Sequence, residues 1–318
     1  MSERKDIPNP AVGGDLYTEL RPLVFSIAYR MLGSVNDAED VVQESFTRFQ
    51  EALKHEQRIE SARAYLATIA TRASIDQLRR ARTRREQYVG EWLPEPLLAD
   101  PAPDLAEHAE TADSLSLAFL VLLESLTPVQ RAVFLLHDVF DYDYREIARM
   151  IGKSEQNCRQ IAVRARKEVD QRKPRFEPSR RQRDELAQRF FDAVEDGDTE
   201  GLLTLLAADA EMHGDGGGKA PAWPRPFFGR SHVMRVLVAG AAQLLRLGAR
   251  RRAVDVNGQP GAIFFDRDGR VINVLALDIA DGQVQTIRSI VNPDKLRHLG
   301  EPADLYSLLR QSKAERAP

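Results

Sequence analysis

Two short helices joined by a tight turn, at Asp143–Asp170, constrain the fold of this chain more than any other stretch. Apolar residues at helical spacing predict a first helix that ends at Gly152, and Ser154 is a favourable N-cap for the second. Two helices joined by a short turn with glycine form a helix-turn-helix, whose second helix enters the major groove of DNA. The pattern predicts a small helical domain that binds DNA; a solvated helix on an ordinary bundle is the alternative.

The second helix of this pair has one apolar and one polar face. Amide and guanidinium groups on the polar face are the side chains that read base edges, whereas arginines further along the helix can bind phosphates. The candidate residues are Gln156, Asn157, Arg159 and Gln160 for base choice, with Arg164 and Arg166 nearer the phosphates.

The composition limits the class of protein. A length of 318 residues allows two or three domains, and a net charge of −3 means that any DNA contact comes from local basic patches. The single cysteine, Cys158, excludes a disulfide framework and a cysteine-based metal cluster, and it fits a reducing compartment. No apolar run approaches the roughly 18 residues of a membrane span. We expect a soluble, cytoplasmic protein that does not contact a membrane.

Residues 15–85 form a first helical block in which one helix is acidic and the next is basic. The acidic side of the second helix presents Asp37, Asp40, Gln43 and Glu44. The third helix, from about Ser61 to Arg85, presents Arg63, Tyr65, Arg72, Arg79 and Arg80. That density of positive charge is typical of a phosphate-binding track, although acid in a first helical turn is also favoured by the helix dipole. Tyr65 either stacks on an unpaired base or packs in the core. The two faces suggest two different partners.

A proline-rich linker, residues 86–112, separates this block from the helix-turn-helix domain at 113–172. The linker contains Trp92-Leu93-Pro94-Glu95-Pro96. A large aromatic in such a segment needs a surface to pack on, which is either a specific docking site or the nearest helix bundle.

After a short linker at 173–179, residues 180–296 change in character. Helical patterns come first and strand patterns follow, with hairpin turns at Asp268-Gly269 and Asp281-Gly282. This order predicts an α+β domain with a curved antiparallel sheet and one concave side. The chain is thus expected to be a multidomain protein, with two all-α helical domains followed by one α+β domain. Residues 1–14 and 297–318 are expected to be terminal tails.

The α+β part contains one candidate acid–base pair, His213 and Asp215, which could lie near a pocket mouth. The glycines at 216–218 suit a contact loop at least as well, because they allow close approach of the backbone. No His, Asp or Glu spacing resembles a metal site, and the glycine run lacks the rest of a phosphate-loop pattern. We therefore expect no catalytic residues, no metal and no cofactor.

Three stretches resemble extracytoplasmic-function sigma factors, which are group IV members of the sigma-70 family. The run Leu32–Glu44 resembles the start of their second conserved region, and Ala64–Arg80 looks like their promoter-opening helix. Leu126–Arg131 with Tyr144–Ala148 is similar to their fourth region. The resemblance implies a bacterial transcription initiation factor without chemistry of its own, whose partners are core RNA polymerase and promoter DNA.

The same resemblance assigns a role to each surface. The acidic residues Asp37, Asp40, Gln43 and Glu44 would dock on the clamp of RNA polymerase. The basic third helix would engage the −10 promoter element, and the helix-turn-helix would read the −35 element.

The C-terminal part looks like the SnoaL-like cone fold, and the SigJ-like subgroup of these sigma factors carries such a domain. Its hallmarks are the linker residues Trp92, Pro94, Glu95 and Pro96, the loop Asp215, Gly216, Gly217, Gly218 and Lys219, and the segment Asn292, Pro293, Asp294 and Lys295. The resemblance suggests that the fused domain takes over the control that a dedicated anti-sigma protein exerts on other family members. We expect the loop and the Asn292–Lys295 segment to make regulatory contacts either with the linker or with the helical blocks. We expect a protein that is monomeric when free.

Two other functions remain open at this point. A stand-alone DNA-binding regulator with a small-molecule-sensing domain would need no acidic polymerase-docking face. A SnoaL-like domain with residual enzymatic activity would need turnover that depends on His213 or Asp215.

Overall fold

The computed structural model describes residues 10–99, 115–171 and 179–314, although the side chains of 10–14, 82–86 and 311–314 are outside the description. The chain divides into two units. The first contains Met1–Arg82 and Leu126–Glu168, and the second contains Thr83–Ser125 and Val169–Pro318. The predicted linker 173–179 lies outside the described residues except for Ser179, as do residues 100–112 of the proline-rich linker.

Three helices begin the chain: α1 (Pro10–Leu32), α2 (Val35–Lys54) and α3 (Ala62–Glu86). Gly33, with a φ of 66°, ends α1, and the Ser34 hydroxyl caps α2 by accepting a hydrogen bond from the Asp37 amide at 3.2 Å. A terminal tail reaching residue 14 is wrong for residues 10–14, because α1 already begins at Pro10. Proline is favoured in the first helical turn, where its missing amide proton costs nothing. Residues 1–9 lie outside the description.

Four further helices follow: α4 (Leu117–Leu123) in the second unit, and α5 (Pro128–Phe134), α6 (Tyr144–Ile151) and α7 (Glu155–Asp170) at the helix-turn-helix. A π-helical turn, Leu135–Val139, extends α5. Asp143 and Glu146 form a capping box at the start of α6, and Gly152 ends it in the left-handed conformation with a φ of 67°. The Ser154 hydroxyl accepts from the Asn157 amide at 3.2 Å. The predicted helix-turn-helix is confirmed, since each boundary has the cap that its sequence provides.

The second unit contains helices α8 (Arg180–Asp196), α9 (Thr199–Leu205) and α10 (Arg230–Arg246) around one seven-stranded sheet. The strands are β1 (Leu98–Ala99), β2 (Leu206–Asp215), β3 (Phe227–Phe228), β4 (Arg250–Val256), β5 (Gln259–Phe265), β6 (Val271–Ala280) and β7 (Gln283–Ile290). Their order across the sheet is β1-β4-β5-β6-β7-β2-β3. The linker therefore supplies one edge strand.

The sheet is mixed, because the predicted antiparallel pairing holds for every pair of neighbouring strands except β2 and β7. Strands β4 to β7 form an antiparallel meander, but β2 runs parallel to β7, with His213 opposite Arg288. A strand that is not joined to its neighbour by a hairpin can pair in either direction. The hairpin at Asp281-Gly282 is confirmed, with φ values of 53° and 69°. A second turn of the same kind, Asn257-Gly258, joins β4 to β5.

Both faces of this sheet are covered. All ten residues of β6 are buried, and their alternation divides them between two hydrophobic cores. Leu275, Leu277 and Ile279 pack with α8 and α10 on the concave side. Val274 and Ala276 pack on the opposite side with a second core that includes Leu93 of the linker and Leu117 of α4. The outer face of the sheet is thus the surface on which the linker and α4 pack.

The end of the chain is mainly helical over its described part. It contains α11 (Pro293–Leu296), a 3₁₀ turn at Arg297–Leu299 and α12 (Leu305–Ala314). No helix among the described residues combines the length and apolar character of a membrane span.

Candidate nucleic-acid interface and linker-binding site

The solvent face of α7 carries most of the residues expected to contact the −35 element. Gln156, Asn157, Gln160 and Arg164 are exposed. Arg159 is also exposed, but it is oriented by a hydrogen bond to Glu155 at 2.6 Å and lies 4.9 Å from the centre of the Tyr144 ring. The helix thus presents a row of amide and guanidinium groups to solvent.

Arg166 departs from this arrangement. It is half-buried and donates a hydrogen bond to Asp138 at 2.7 Å. That hydrogen bond, partly opposed by desolvation, raises the pKa of Arg166 above its ordinary value. An arginine that is engaged in this way has to exchange its carboxylate partner for a phosphate before it can bind DNA.

The predicted basic residues of α3 fall into three environments. Arg63, Arg79 and Arg80 are exposed, and Arg79 pairs with Asp76 of the same helix at 3.2 Å. Tyr65 is half-buried, with its ring centre 5.9 Å from that of Phe49, which favours the packing alternative. Arg72 donates to the carbonyl oxygens of Met150 at 2.6 Å and Arg149 at 3.1 Å. The guanidinium of Arg72 therefore joins α3 to the C-terminal end of α6, where it complements the helix dipole.

The acidic side of α2 borders a shallow groove of about 370 Å³. Asp40 and Gln43 are exposed and line it together with Tyr17, which is 42% exposed. Asp37 and Glu44 are half-buried and do not line this groove, and Glu44 pairs with Arg48 at 2.5 Å. The surface offers a carboxylate, an amide and an aromatic side chain in one place.

The linker is bound by one buried carboxylate, that of Asp215 at the end of β2. The Tyr88 hydroxyl donates to it at 2.5 Å, the Leu93 amide at 2.8 Å and the Lys295 ammonium at 2.6 Å. Lys295 also donates to the Leu93 carbonyl oxygen and lies 4.1 Å from the centre of the Trp92 ring. Asp215 and Lys295 thus bind the amide and the carbonyl of the same linker residue. We call this group of contacts the linker clamp.

Tyr88 completes the linker clamp as a donor. Its burial and the nearby charge of Asp215 raise the pKa of Tyr88 well above its ordinary value, so the hydroxyl keeps its proton. The side-chain Nδ2 of Asn292 donates to the Tyr88 oxygen at 2.7 Å, and its side-chain Oδ1 caps α11 by accepting from the Asp294 backbone amide at 3.1 Å. Tyr88 was not among the expected contacts, because no local pattern marks a tyrosine 127 residues from its partner.

The glycine loop lies against the linker, and two of its glycines are required there. Gly217 and Gly218 have φ values of 57° and 71°. A Cβ atom on Gly217 would come within 2.2 Å of the Asn292 side-chain nitrogen, and one on Gly218 within 3.1 Å of Val89. Gly216 is buried, whereas Lys219 is exposed and pairs with Asp294, so its contribution is small.

The remaining linker residues are bound further along the sheet. Pro94, Glu95 and Pro96 are buried, and His298 donates to the Pro96 carbonyl oxygen at 2.8 Å. The Asn257 side chain accepts from the Leu97 amide at 2.9 Å and donates to the Leu115 carbonyl oxygen at 2.9 Å. Asn257 and His298 were missed from the sequence; the Asn257-Gly258 dipeptide is a turn signal, but it does not reveal the second role of the asparagine.

His213 and Asp215 lie on the same face of β2, because they are two residues apart. His213 binds Glu91 of the linker at 2.6 Å and Glu211 at 2.9 Å. Burial alone would lower the pKa of His213, but the hydrogen bonds to Glu91 and Glu211 outweigh it and raise that pKa. Both side chains therefore face the linker.

The concave side of the sheet encloses a mainly apolar cavity of about 100 Å³ with an adjoining space of about 240 Å³. Met212 and Gly214, the alternate residues of β2, line these spaces, together with Trp223 and Leu244. Leu305 and Leu309 of α12 border the second. Neither His213 nor Asp215 lines these two spaces; His213 instead lines a separate cleft of about 820 Å³, together with Glu211 and Arg288. No group of three or more potential metal ligands occurs among the described residues.

Comparison with known proteins identifies two conserved regions. The sigma-70 region 2 model matches residues 16–84, and the sigma-70 region 4 model matches residues 116–169. The chain is 36% identical over 293 residues to the ECF RNA polymerase sigma factor SigJ of Mycobacterium tuberculosis, covering 88% of this chain and 91% of that protein. It is 31% identical over 284 residues to the probable ECF RNA polymerase sigma factor SigI of the same species, covering 87% and 92%.

A solved structure agrees with these relatives. The crystal structure of the Mycobacterium tuberculosis extracytoplasmic function sigma factor SigJ matches with a TM-score of 0.70 and 33% identity, covering 89% of this chain and 98% of that chain. Similarity over most of both chains, with both conserved regions matched, shows that the chain belongs to the extracytoplasmic-function sigma factors of RNA polymerase.

Proposed function

We propose that this chain binds core RNA polymerase, directs it to promoters with −35 and −10 elements, and is controlled in cis through the linker clamp. The observation that supports control in cis is the binding of Leu93 by the buried pair Asp215 and Lys295. A buried ion pair is weak evidence for stability, but removing one partner is costly because the other charge is left uncompensated. The clamp is therefore sensitive to any change that displaces one of its members.

Each surface has a distinct part in this function. Asp37, Asp40, Gln43 and Glu44 contact the polymerase, with Asp40 and Gln43 central because both are exposed beside the groove. Arg63, Tyr65, Arg72, Arg79 and Arg80 serve the −10 element, and the exposed residues of α7 serve the −35 element. The corresponding domains are 15–85 and 113–172, joined by the linker 86–112 and followed by the regulatory domain 180–296.

The sheet of the C-terminal domain binds more than the linker. Residues 116–169 match region 4, yet α4 of that region packs on the outer face of the sheet through Leu117 and Val121. The segment that connects the two promoter-reading regions therefore packs on this domain near its start, through Tyr88 and Leu93, and near its end, through Leu117. Since a tethered domain acts at a high effective concentration, contacts of a few kcal/mol are enough to bias the conformation.

The same geometry favours regulation over catalysis by the fused domain. His213 and Asp215, its candidate acid–base pair, contact Glu91 and Leu93 rather than the interior cavity. A linker site that is already occupied within the chain also favours a monomer that works without a dedicated anti-sigma protein.

The test is transcription by purified core polymerase with the full-length chain, using Lys295→Met and Asp215→Asn. Each change removes one partner of a buried pair, a loss of about 3–5 kcal/mol in comparable sites, and releases the linker. We expect promoter-specific transcription to rise several-fold. Lys219→Met, which removes an exposed charge from the same surface, is the control and should change little. If both clamp variants fold and transcribe like the wild type, control through the clamp is refuted.

A further inference from the structure

The solvent face of α7 contains one apolar side chain in a polar row. Gln156, Gln160, Val163 and Lys167 follow each other at spacings of three and four residues, so they form a single stripe along the helix. Val163 lies in the middle of this stripe and is 64% exposed. The exposed residues Arg159 and Arg164 lie to either side.

Neither packing nor helix propensity accounts for a valine at this position. The core face of α7 is made by Cys158, Ala162 and Ala165, which are buried on the opposite side. A β-branched residue is also a poorer helix former than the long polar residues around it. Single exposed apolar residues are common on protein surfaces, so exposure alone means little. What distinguishes Val163 is its place among the exposed side chains that are proposed to read the −35 element.

The chemistry of the major groove supplies a partner for such a residue. Each base pair presents hydrogen-bonding groups at its edge, and thymine alone among the four bases adds an apolar methyl group there. The side-chain amide of glutamine can form two hydrogen bonds with adenine, the base that pairs with thymine. A row of Gln156, Gln160 and Val163 is therefore suited to adjacent A·T pairs, with the amides on adenine and the valine on a thymine methyl.

We propose that Val163 is a specificity-determining residue that reads the C5-methyl group of one thymine in the −35 element. The inference rests on the proposed function, in which α7 enters the major groove. Valine is stiff about its first side-chain torsion, so its methyl groups are already oriented before DNA binds. The contact adds preference for thymine without adding a hydrogen bond.

The test compares thymine with uracil, which forms the same base pair but lacks the methyl group. Holoenzyme made from core polymerase and the full-length chain first selects its −35 sequence from a random pool. Each thymine of the selected element, in both strands, is then replaced singly by uracil, and affinity is measured by competition and footprinting. We expect one position at which uracil lowers wild-type affinity about fourfold, the value for one buried methyl-sized group.

The variants assign this effect to Val163. Val163→Ala should bind thymine and uracil promoters equally at that position, whereas Val163→Ile should keep the preference for thymine. Val163→Thr, which replaces one methyl group by a hydroxyl, should reduce it. Uracil at thymines outside the −35 element is the control and should have no effect.

Three results would overturn the inference. A −35 footprint without any thymine–uracil difference leaves the proposed function intact and removes the role of Val163. A difference that Val163→Ala retains assigns the methyl contact to another residue. A loss of transcription in Val163→Ala that is equal on thymine and uracil promoters indicates a protein contact with the polymerase instead. Absence of any −35 footprint refutes the proposed function itself.

Discussion

At the scale of single residues, the linker clamp depends on groups that have no close substitute. Asp215 accepts three hydrogen bonds in a buried site, and an amide there would lose the charge that Lys295 requires. Gly217 is equally restricted, because its backbone is left-handed and a side chain would meet Asn292 and Tyr88. The loop that contacts the linker therefore requires a carboxylate at position 215 and a glycine at position 217.

Gly217→Ala should lower the stability of the linker clamp by more than the cost of placing an alanine in the left-handed conformation. The left-handed conformation costs an alanine about 1–2 kcal/mol, and the added Cβ also displaces Asn292 and Tyr88. Gly282→Ala is a matched control, since Gly282 has a similar φ of 69° and nothing within 4 Å of the added atom. Urea unfolding of both variants, followed by Trp92 fluorescence in a Trp223→Phe background, should give the larger loss for Gly217→Ala. Equal losses would show that the contact with Tyr88 is unimportant.

At the scale of elements, successive side chains of β2 point alternately to the two faces of the sheet, one toward the linker and one toward the interior cavity. His213 and Asp215 contact the linker, and Glu211 binds His213 on the same face, while Met212 and Gly214 line the interior spaces. A shift of the strand by one residue would exchange these two sets, so the register with β7 controls whether the linker can bind. The strand thus connects the interior of the domain to the linker through its backbone.

The hold on the linker should weaken as the pH rises, because of His213. Its pKa in the folded protein is raised above the unfolded value of about 6.5, so protonated His213 binds Glu91 and Glu211 most firmly below that value. This contribution is lost as pH increases through the raised pKa. Arg288, which also faces His213, opposes the charge only in part. We expect the free energy of unfolding reported by Trp92 to fall as the pH rises above about 6.5 and through the raised pKa of His213.

His213→Gln keeps hydrogen-bonding ability without titrating, and it should flatten this pH profile. A profile in the variant identical to that of the wild type would assign the dependence to other groups.

How far the sequence predicts these elements depends on how local their determinants are. The boundaries of α6 and α7 follow from Asp143, Gly152 and Ser154, which act within one helical turn, and these were predictable. Strand β2 was not predicted, because Leu206–Asp215 is rich in alanine and acid and poor in β-branched residues. The contacts of Tyr88 and Asn257 join residues 127 and 160 positions apart, a distance at which a single sequence carries no pairing signal. The hallmark segments could be expected to meet only through the family resemblance.

At the scale of the whole molecule, the proposed promoter reading implies a change in the first unit. Arg72 of α3 donates hydrogen bonds to the C-terminal carbonyl groups of α6 in the helix-turn-helix. In the proposed function, α3 and the helix-turn-helix bind two separate promoter elements at the same time. We therefore propose that the contact made by Arg72 breaks when both elements are bound.

Arg72→Gln should shift the free protein toward the separated form. Hydrogen bonds from a charged donor contribute about 1.5–3 kcal/mol, less when exposed as here, so we expect a population change of about five- to tenfold. Fluorescent labels at Glu51→Cys and Arg145→Cys, both exposed and outside the proposed contact residues, report the distance between α2 and α6. The native Cys158 is buried, and burial raises the pKa of its thiol, which limits its labelling. Arg79→Gln, whose partner Asp76 lies on its own helix, is the control. The free Arg72 variant should show a longer mean distance than the wild type and the control, while holoenzyme on promoter DNA should give the same long distance in all three. If the distance in the free Arg72 variant equals that of the wild type, the contact does not restrain the first unit.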